Sequence, residues 1–177
     1  MLRLNEVVNE ATGSDGVLTL TFDERRKSRL LASLDDGREV ALMLPRGTIL
    51  RHGDRLRGDT GLVVEVRAAA ESLSVGVTGD WHLLARAAYH LGNRHVPLQV
   101  GDGFVAYGHD HVLDDMVRAL GLEVSSRIAP FEPEAGAFQH ETSGGGHSHG
   151  GGHSHSGGGG GGRGHTHSHD HDRDHSA

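Results

Sequence analysis

Histidine is the residue type in this chain with the clearest chemical potential. Sixteen of the 177 residues are histidines, and ten of them lie in residues 138–177 together with 13 of the 28 glycines. Neutral imidazole nitrogen binds Zn, Ni and Cu ions, and a His-x-His spacing lets a flexible chain place several rings around one ion. The segment therefore predicts metal binding, through these histidines: His147, His149, His153, His155, His165, His167, His169, His171 and His175.

Two other interpretations of this segment exist, an engineered purification tag and a tail that only aids solubility. Purification tags usually carry consecutive histidines, whereas these alternate with Gly, Ser, Thr and Asp. Metal binding is favoured over both. Which metal binds stays open, because affinity for nitrogen sites rises through Ni to Cu and the pattern specifies no ligand geometry.

Three histidines outside the tail are candidate ligands because of their positions. His95 follows one predicted helix, while His109 and His111 open a second helix two residues apart. All three lie at the ends of elements, where side chains from different segments can converge. Spacing alone still favours an ordinary surface or packing role for any single one of them. The other histidines are interpreted in that ordinary way: His52, His82 and His90.

Several classes of chemistry are excluded or unsupported. The chain has no cysteine, which excludes disulfides, iron–sulfur clusters, thiolate zinc sites and cysteine nucleophiles. No P-loop, dinucleotide fingerprint or nucleophile elbow is present. Asp114 and Asp115 form a carboxylate pair, but acidic residues in the first turns of a helix are expected because they complement its dipole. We therefore expect a protein that is not an enzyme.

Charge and hydropathy limit the partners. The formal net charge of −7 disfavours an electrostatic grip on nucleic acid. No apolar run approaches the roughly 20 residues that a membrane span needs, and the first twelve residues are too polar for a signal peptide. We expect a cytoplasmic protein that has no nucleic-acid or membrane partner.

Residues 1–70 predict a small all-β domain. Residues 17–22 alternate β-branched and polar side chains, and residues 38–44 and 62–67 are strand-like runs that each follow a Gly-containing turn. No helical period persists through this part of the chain. We expect short strands around one core.

Residues 71–137 have a different pattern, which predicts the order β, α, β, β, α, β. The helices are expected near residues 81–91 and 110–120, and strands 96–100 and 103–107 should form a hairpin between them. This order is that of a ferredoxin-like fold. The fold class is thus α+β, with an all-β domain (1–70), a ferredoxin-like domain (71–137) and a disordered His- and Gly-rich tail (138–177) that has too few apolar side chains for a core.

Five sequence stretches resemble the urease accessory protein E family of nickel metallochaperones. They lie in both predicted domains, and the longest is specific enough to make chance resemblance implausible. The stretches are DERRKSR (23–29), LPRGTILRHGD (44–54), AYHLGNRHVPLQ (88–99), GHDHVLDDM (108–116) and PFEPEAGA (130–137).

The resemblance implies a homodimer in which each subunit offers His95 to a shared Ni(II) ion. His109 and His111 would be auxiliary ligands, the tail would bind further ions, and Cu(II) or Zn(II) could occupy these secondary sites. The partners implied are apo-urease and the other urease accessory proteins, including their GTPase. The first domain would resemble the peptide-binding domain of Hsp40-type chaperones. The tail departs from its relatives in its glycine content, with residues 157–162 separating two histidine blocks.

Two rival functions remain at this stage. The chain could be a His-rich protein that stores or buffers metal, with the body acting only as a scaffold. It could also be a general protein-binding chaperone that uses the first domain. An ion held by one imidazole from each subunit favours delivery over storage, because such a site is under-coordinated and releases its ion more easily than a closed cage.

Overall fold

The computed structural model describes residues 2–9 and 13–135. The first half of the chain forms a six-stranded sheet of order β2-β6-β5-β1-β4-β3 and one short helix. Its elements are β1 (Leu2–Val8), β2 (Gly16–Leu20), α1 (Phe22–Arg25), β3 (Arg29–Ser33), β4 (Glu39–Met43), β5 (Arg55–Gly58) and β6 (Val63–Ala68).

The six-stranded sheet mixes parallel and antiparallel neighbours. Strand β1 runs parallel to β4 and antiparallel to β5, and β2 runs parallel to β6. Period-two alternation turns one side of each strand inward, which produces a core of aliphatic side chains. That core includes Leu4, Leu18, Leu20, Val40, Leu42, Leu56, Val64 and Val66.

The strand predicted over residues 17–22 is wrong at its end. Strand β2 stops at Leu20, and Thr21 caps α1. The Thr21 hydroxyl accepts a hydrogen bond from the backbone N–H of Glu24, while the Glu24 carboxylate accepts one from the backbone N–H of Thr21. This reciprocal capping box stabilises a helical turn where the sequence alternation alone suggested that the strand continues.

The second half of the chain contains every element predicted for it. They are β7 (Ala70–Val77), α2 (Trp81–Gly92), β8 (Gln99–Gly101), β9 (Phe104–Gly108), α3 (His111–Ala119) and β10 (Glu123–Pro130). The four strands form a sheet of order β10-β7-β9-β8 in which all neighbours are antiparallel. The predicted strand 96–100 is corrected to the shorter β8, since Val96 to Leu98 form no ladder and Pro97 lacks an N–H donor. The mixed α+β class is confirmed.

An aspartate is the N-cap residue of each of the two longer helices, α2 and α3. The carboxylate of Asp80 accepts hydrogen bonds from the backbone N–H groups of His82 and Leu83, and that of Asp110 accepts them from Val112 and Leu113. Each cap satisfies N–H groups that have no partner inside the helix. The helices then pack on one side of the four-stranded sheet through Ala87, Leu91, Val105, Tyr107, Val117 and Leu122.

The two sheets are joined by contacts around Arg25, which is fully buried. Its guanidinium donates to the carbonyl of Leu50, to that of Phe131 and, over 2.5 Å, to the carboxylate of Glu132. The ring of Phe131 meets that of Phe22 edge-on at 5.6 Å between centroids. The segment after β10 is therefore held against the first half of the chain.

Within the part of the chain that the structure describes, no helix is both long and apolar enough to cross a bilayer.

Candidate metal centre

His95 is exposed at the end of the turn that follows α2. Its φ of 56° makes it the one non-glycine residue of 2–9 and 13–135 with a positive φ, and its N–H donates to the carbonyl of Gly92 over 2.9 Å. A left-handed conformation costs an L-residue about 1 kcal/mol or more, and it is often found where function requires it. The fold thus holds an exposed imidazole in an unfavourable backbone conformation.

His109 and His111 flank the N-cap of α3. His109 follows β9 and is about half exposed, with its Nδ1 atom 2.9 Å from the hydroxyl of Ser74 and 3.6 Å from the carboxylate of Asp114. His111 is the exposed first residue of the helix. Between them, hydrogen bonds from the N–H groups of Leu113 and Val112 lower the pKa of the Asp110 carboxyl, with a smaller contribution from the two histidines.

Strand register brings the segments that carry His95 and His109 to the same end of the four-stranded sheet. Gln99 of β8 pairs with Ala106 of β9 in antiparallel register. His95 lies just before β8 and His109 just after β9, so both segments leave the sheet on the same side. The two segments therefore lie at one end of the sheet, as expected from their positions at the ends of elements.

These groups do not form a metal site by themselves within residues 2–9 and 13–135. Among the described residues, no three His, Asp or Glu side chains lie close enough together to hold one ion. The predicted tail ligands, His147 to His175, lie outside the described residues.

The chain leaves the described region beside the segment that follows His95. The N–H of Glu134 donates to the carbonyl of Leu98 over 2.8 Å, and the N–H of Glu132 donates to the side-chain carbonyl of Gln99 over 3.1 Å. Residues 131–135 consequently run alongside residues 98–99. The His-rich segment begins, in sequence, a few residues beyond this point.

Asp114 has a role that the sequence reasoning missed. Its side chain is buried on the sheet-facing side of α3, whereas Asp115 is exposed. The hydroxyl of Tyr107 donates to the Asp114 carboxylate over 2.9 Å, and burial together with this carboxylate raises the pKa of Tyr107. Asp114 lies three residues before the buried Val117, and this position on the apolar face was the available signal.

The three histidines that were given ordinary roles lie on other elements, and two of them make contacts within the chain. Nδ1 of His52 accepts a hydrogen bond from the N–H of Ala68 over 3.3 Å, which ties its turn to β6. His82 is exposed on α2, and the ring of His90 packs edge-on against Tyr89 on the same helix.

Comparison with known protein families covers nearly the whole chain. Residues 4–69 match the model of the N-terminal domain of the UreE urease accessory protein, and residues 63–176 match that of its C-terminal domain. The chain therefore belongs to the UreE urease accessory protein family. This is a family of accessory chaperones and not of enzymes, so the expectation of a non-enzymatic protein is confirmed by family membership.

Individual relatives agree with this assignment. A urease accessory protein UreE of Alkalilimnicola ehrlichii is 60% identical over 138 residues, covering 78% of this chain and 85% of the relative. One from Pseudomonas putida strain W619 is 56% identical over 140 residues, covering 78% and 87%. One from Vibrio parahaemolyticus is 49% identical over 155 residues, covering 83% and 97%.

Proposed function

We propose that the chain is a nickel metallochaperone that carries Ni(II) to apo-urease, in concert with the other urease accessory proteins and their GTPase. The observation that carries this proposal is the exposed His95, which the fold holds with a φ of 56° and without enough ligands in its own described chain to enclose an ion. An accessible, incomplete site suits a protein that must release its metal.

A homodimer completes this proposal. A second copy would bring another His95 to the same ion, and the two imidazoles would form a shared site at the interface between subunits. Two nitrogen ligands leave coordination positions open for other groups during transfer. The resemblance of residues 88–99 to the family supports His95 as the shared ligand.

His109, His111 and the tail histidines are proposed as auxiliary ligands. They would bind further Ni(II), or Cu(II) and Zn(II), because imidazole accommodates all three ions. Because the tail is covalently linked to the metal-binding domain, its histidines would be present at high effective concentration during transit.

The proposal divides the chain into an N-terminal β domain (1–70) that contacts other proteins, a ferredoxin-like domain (71–137) that binds metal and dimerises, and a His-rich tail (138–177). The strand order β10-β7-β9-β8, with both helices packed on one side, supports the ferredoxin-like assignment. We place the protein in the cytoplasm.

Transfer to urease tests the proposal directly. Apo-urease mixed with the accessory proteins and the nickel-loaded chain, in the presence of a competing chelator, should gain activity. A His95→Asn chain should activate it at least tenfold less, whereas His82→Asn, which changes another exposed histidine, should match the wild type. Equal activation by all three chains would contradict delivery through His95.

Metal storage is the second candidate function, favoured only by the number of tail histidines. Removing residues 138–177 separates the two functions. Storage in the tail predicts that all nickel binding disappears with it, whereas the chaperone proposal predicts one retained ion per dimer.

A further inference from the structure

Three buried polar side chains lie in a row behind His109. Ser74 of β7 and Tyr107 of β9 are fully buried and face each other as directly paired residues of the ladder, and Asp114 of α3 is 5% exposed. All three lie between the four-stranded sheet and α3. Buried polar groups are costly unless each finds a hydrogen-bond partner, so the row must be internally satisfied.

Hydrogen bonds connect this row to the imidazole. Nδ1 of His109 lies 2.9 Å from the Ser74 hydroxyl. The carboxylate of Asp114 lies 3.6 Å from the same nitrogen. The Tyr107 hydroxyl donates to that carboxylate over 2.9 Å. Ser74 and Asp114 therefore both lie next to Nδ1 of His109, and Tyr107 binds the carboxylate.

The carboxylate determines which nitrogen of His109 carries the proton. An ionised carboxylate only accepts hydrogen bonds, and the guanidinium of Arg118, at 3.8 Å, gives Asp114 a positive partner. Tyr107 donates to this carboxylate and holds it in place. The negative carboxylate, 3.6 Å from Nδ1 of His109, attracts a proton to that nitrogen, and the Ser74 oxygen at 2.9 Å accepts from it.

We propose that Ser74, Tyr107 and Asp114 hold His109 in its Nδ1–H tautomer, so that the lone pair of Nε2 is fixed outward as the metal-binding atom. The three are positioning residues, and the metal-binding part of the inference rests on the proposed function. His111 differs, since its ring has no hydrogen-bond partner among the described residues. The two auxiliary histidines are thus unequal, His109 being oriented before metal arrives and His111 not.

The tautomer is measurable without metal. Long-range nitrogen–proton NMR spectra of the full-length, metal-free protein at pH 8, with histidine labelled in the ring, distinguish the two nitrogens of each imidazole. We expect His109 to be predominantly Nδ1–H and His111, the internal control, to show the mixed signal of a free ring. A His109 that is predominantly Nε2–H would overturn the inference.

Two variants test the role of these groups. Asp114→Asn removes the negative charge next to Nδ1, so His109 should shift toward the Nε2–H form while His111 stays unchanged. Ser74→Ala removes the oxygen that accepts from Nδ1–H, and it should shift His109 in the same direction even if Asp114→Asn folds poorly. A His109 tautomer unaltered in folded variants would contradict the role of the row.

A zinc titration followed in the same spectra separates this inference from the proposed function. In the wild type, Zn(II) should perturb Nε2 of His109, and in Asp114→Asn the zinc concentration at the midpoint of that signal should rise about tenfold, as is usual when an outer-shell partner is lost. An Nδ1–H tautomer with no zinc response would support the positioning and overturn His109 as a ligand. If zinc perturbs a His109 ring that is in the Nε2–H form, His109 is supported as a ligand, but the proposed control of its tautomer is overturned.

Discussion

At the scale of single residues, the fold holds His95 and His109 in different ways. His95 is exposed and presented by a strained turn, with its own backbone in the left-handed region. Nδ1 of His109 lies 2.9 Å from the hydroxyl of the buried Ser74 and 3.6 Å from the carboxylate of the buried Asp114. The proposed primary ligand is therefore exposed, whereas the proposed auxiliary ligand has buried polar neighbours on one side of its ring.

Replacing both auxiliary histidines should divert metal without abolishing binding. In residues 1–137, His109→Ala/His111→Ala should retain nickel at the His95 pair and lose any additional copper or second nickel ion, because no thiolate is present to substitute for imidazole. Equilibrium dialysis with nickel and copper measured separately checks this. Complete loss of nickel would show that the three histidines form one obligate site.

Asp54 should make stability depend on pH in a direction opposite to most carboxylates. Burial, and next the nearby Glu132, raise its pKa even though it accepts a hydrogen bond from the N–H of Arg51. A raised folded pKa adds stability at low pH that is lost as pH rises through it. Asp54→Asn should therefore raise the melting temperature at pH 7, and the gain should fade as the pH falls.

Asp36 is the matched control for that measurement. Hydrogen bonds from Arg38 lower its pKa, so its contribution is present at neutral pH and is lost in acid. Asp36→Asn should lower the melting temperature slightly at pH 7, with the difference fading as pH falls. Shifts of the same sign in both variants at pH 7 would contradict the assigned directions.

At the scale of elements, the segment after β10 depends on one charged cluster. Glu132 accepts from the buried Arg25, lies 3.6 Å from Arg51 and accepts from the N–H of His52. The cluster fixes residues 131–135 beside β8. The same contacts that join the two sheets therefore determine where the chain departs toward the tail.

Removing the carboxylate of this cluster should be strongly destabilising. Glu132→Ala leaves the guanidinium of Arg25 buried without its charged partner, which costs about 3–5 kcal/mol for a fully buried pair. Because the Glu132 side chain is 30% exposed, we expect a loss of about 2–3 kcal/mol in the free energy of unfolding, measured with urea. Asp23→Ala breaks an exposed pair with Arg26 and should change it by less than about 0.5 kcal/mol. Equally small losses in both variants would contradict a stabilising role for the pair of Glu132 and Arg25.

Local signals explain which features the sequence could predict. The N-cap residues Asp80 and Asp110 accept hydrogen bonds from N–H groups two and three residues away. Because these contacts are local, the starts of α2 and α3 can be predicted from the sequence. The capping box of Thr21 was also local, but the alternating pattern before it obscured it. The burial of Asp114 depends on side chains from β7 and β9. Contacts between segments that are distant in the sequence cannot be predicted from residue spacing.

At the scale of the whole molecule, the metal site proposed at His95 is incomplete within residues 2–9 and 13–135 of one chain. The segments that carry His95 and His109 lie at one end of the four-stranded sheet, and residues 131–135 run alongside residues 98–99 there. In the proposed dimer, a second copy of His95 would complete the coordination and make the exposed histidine part of a carrier site.

The stoichiometry of nickel binding to residues 1–137 tests this central claim most directly. Calorimetry should show one tight nickel ion per two chains in the wild type and in His82→Asn, and none in His95→Asn. Asparagine is chosen because it tolerates the left-handed conformation, so that the turn survives without the imidazole. One ion per single chain in the wild type, or one ion per two chains retained in His95→Asn, would contradict a site shared between two copies of His95.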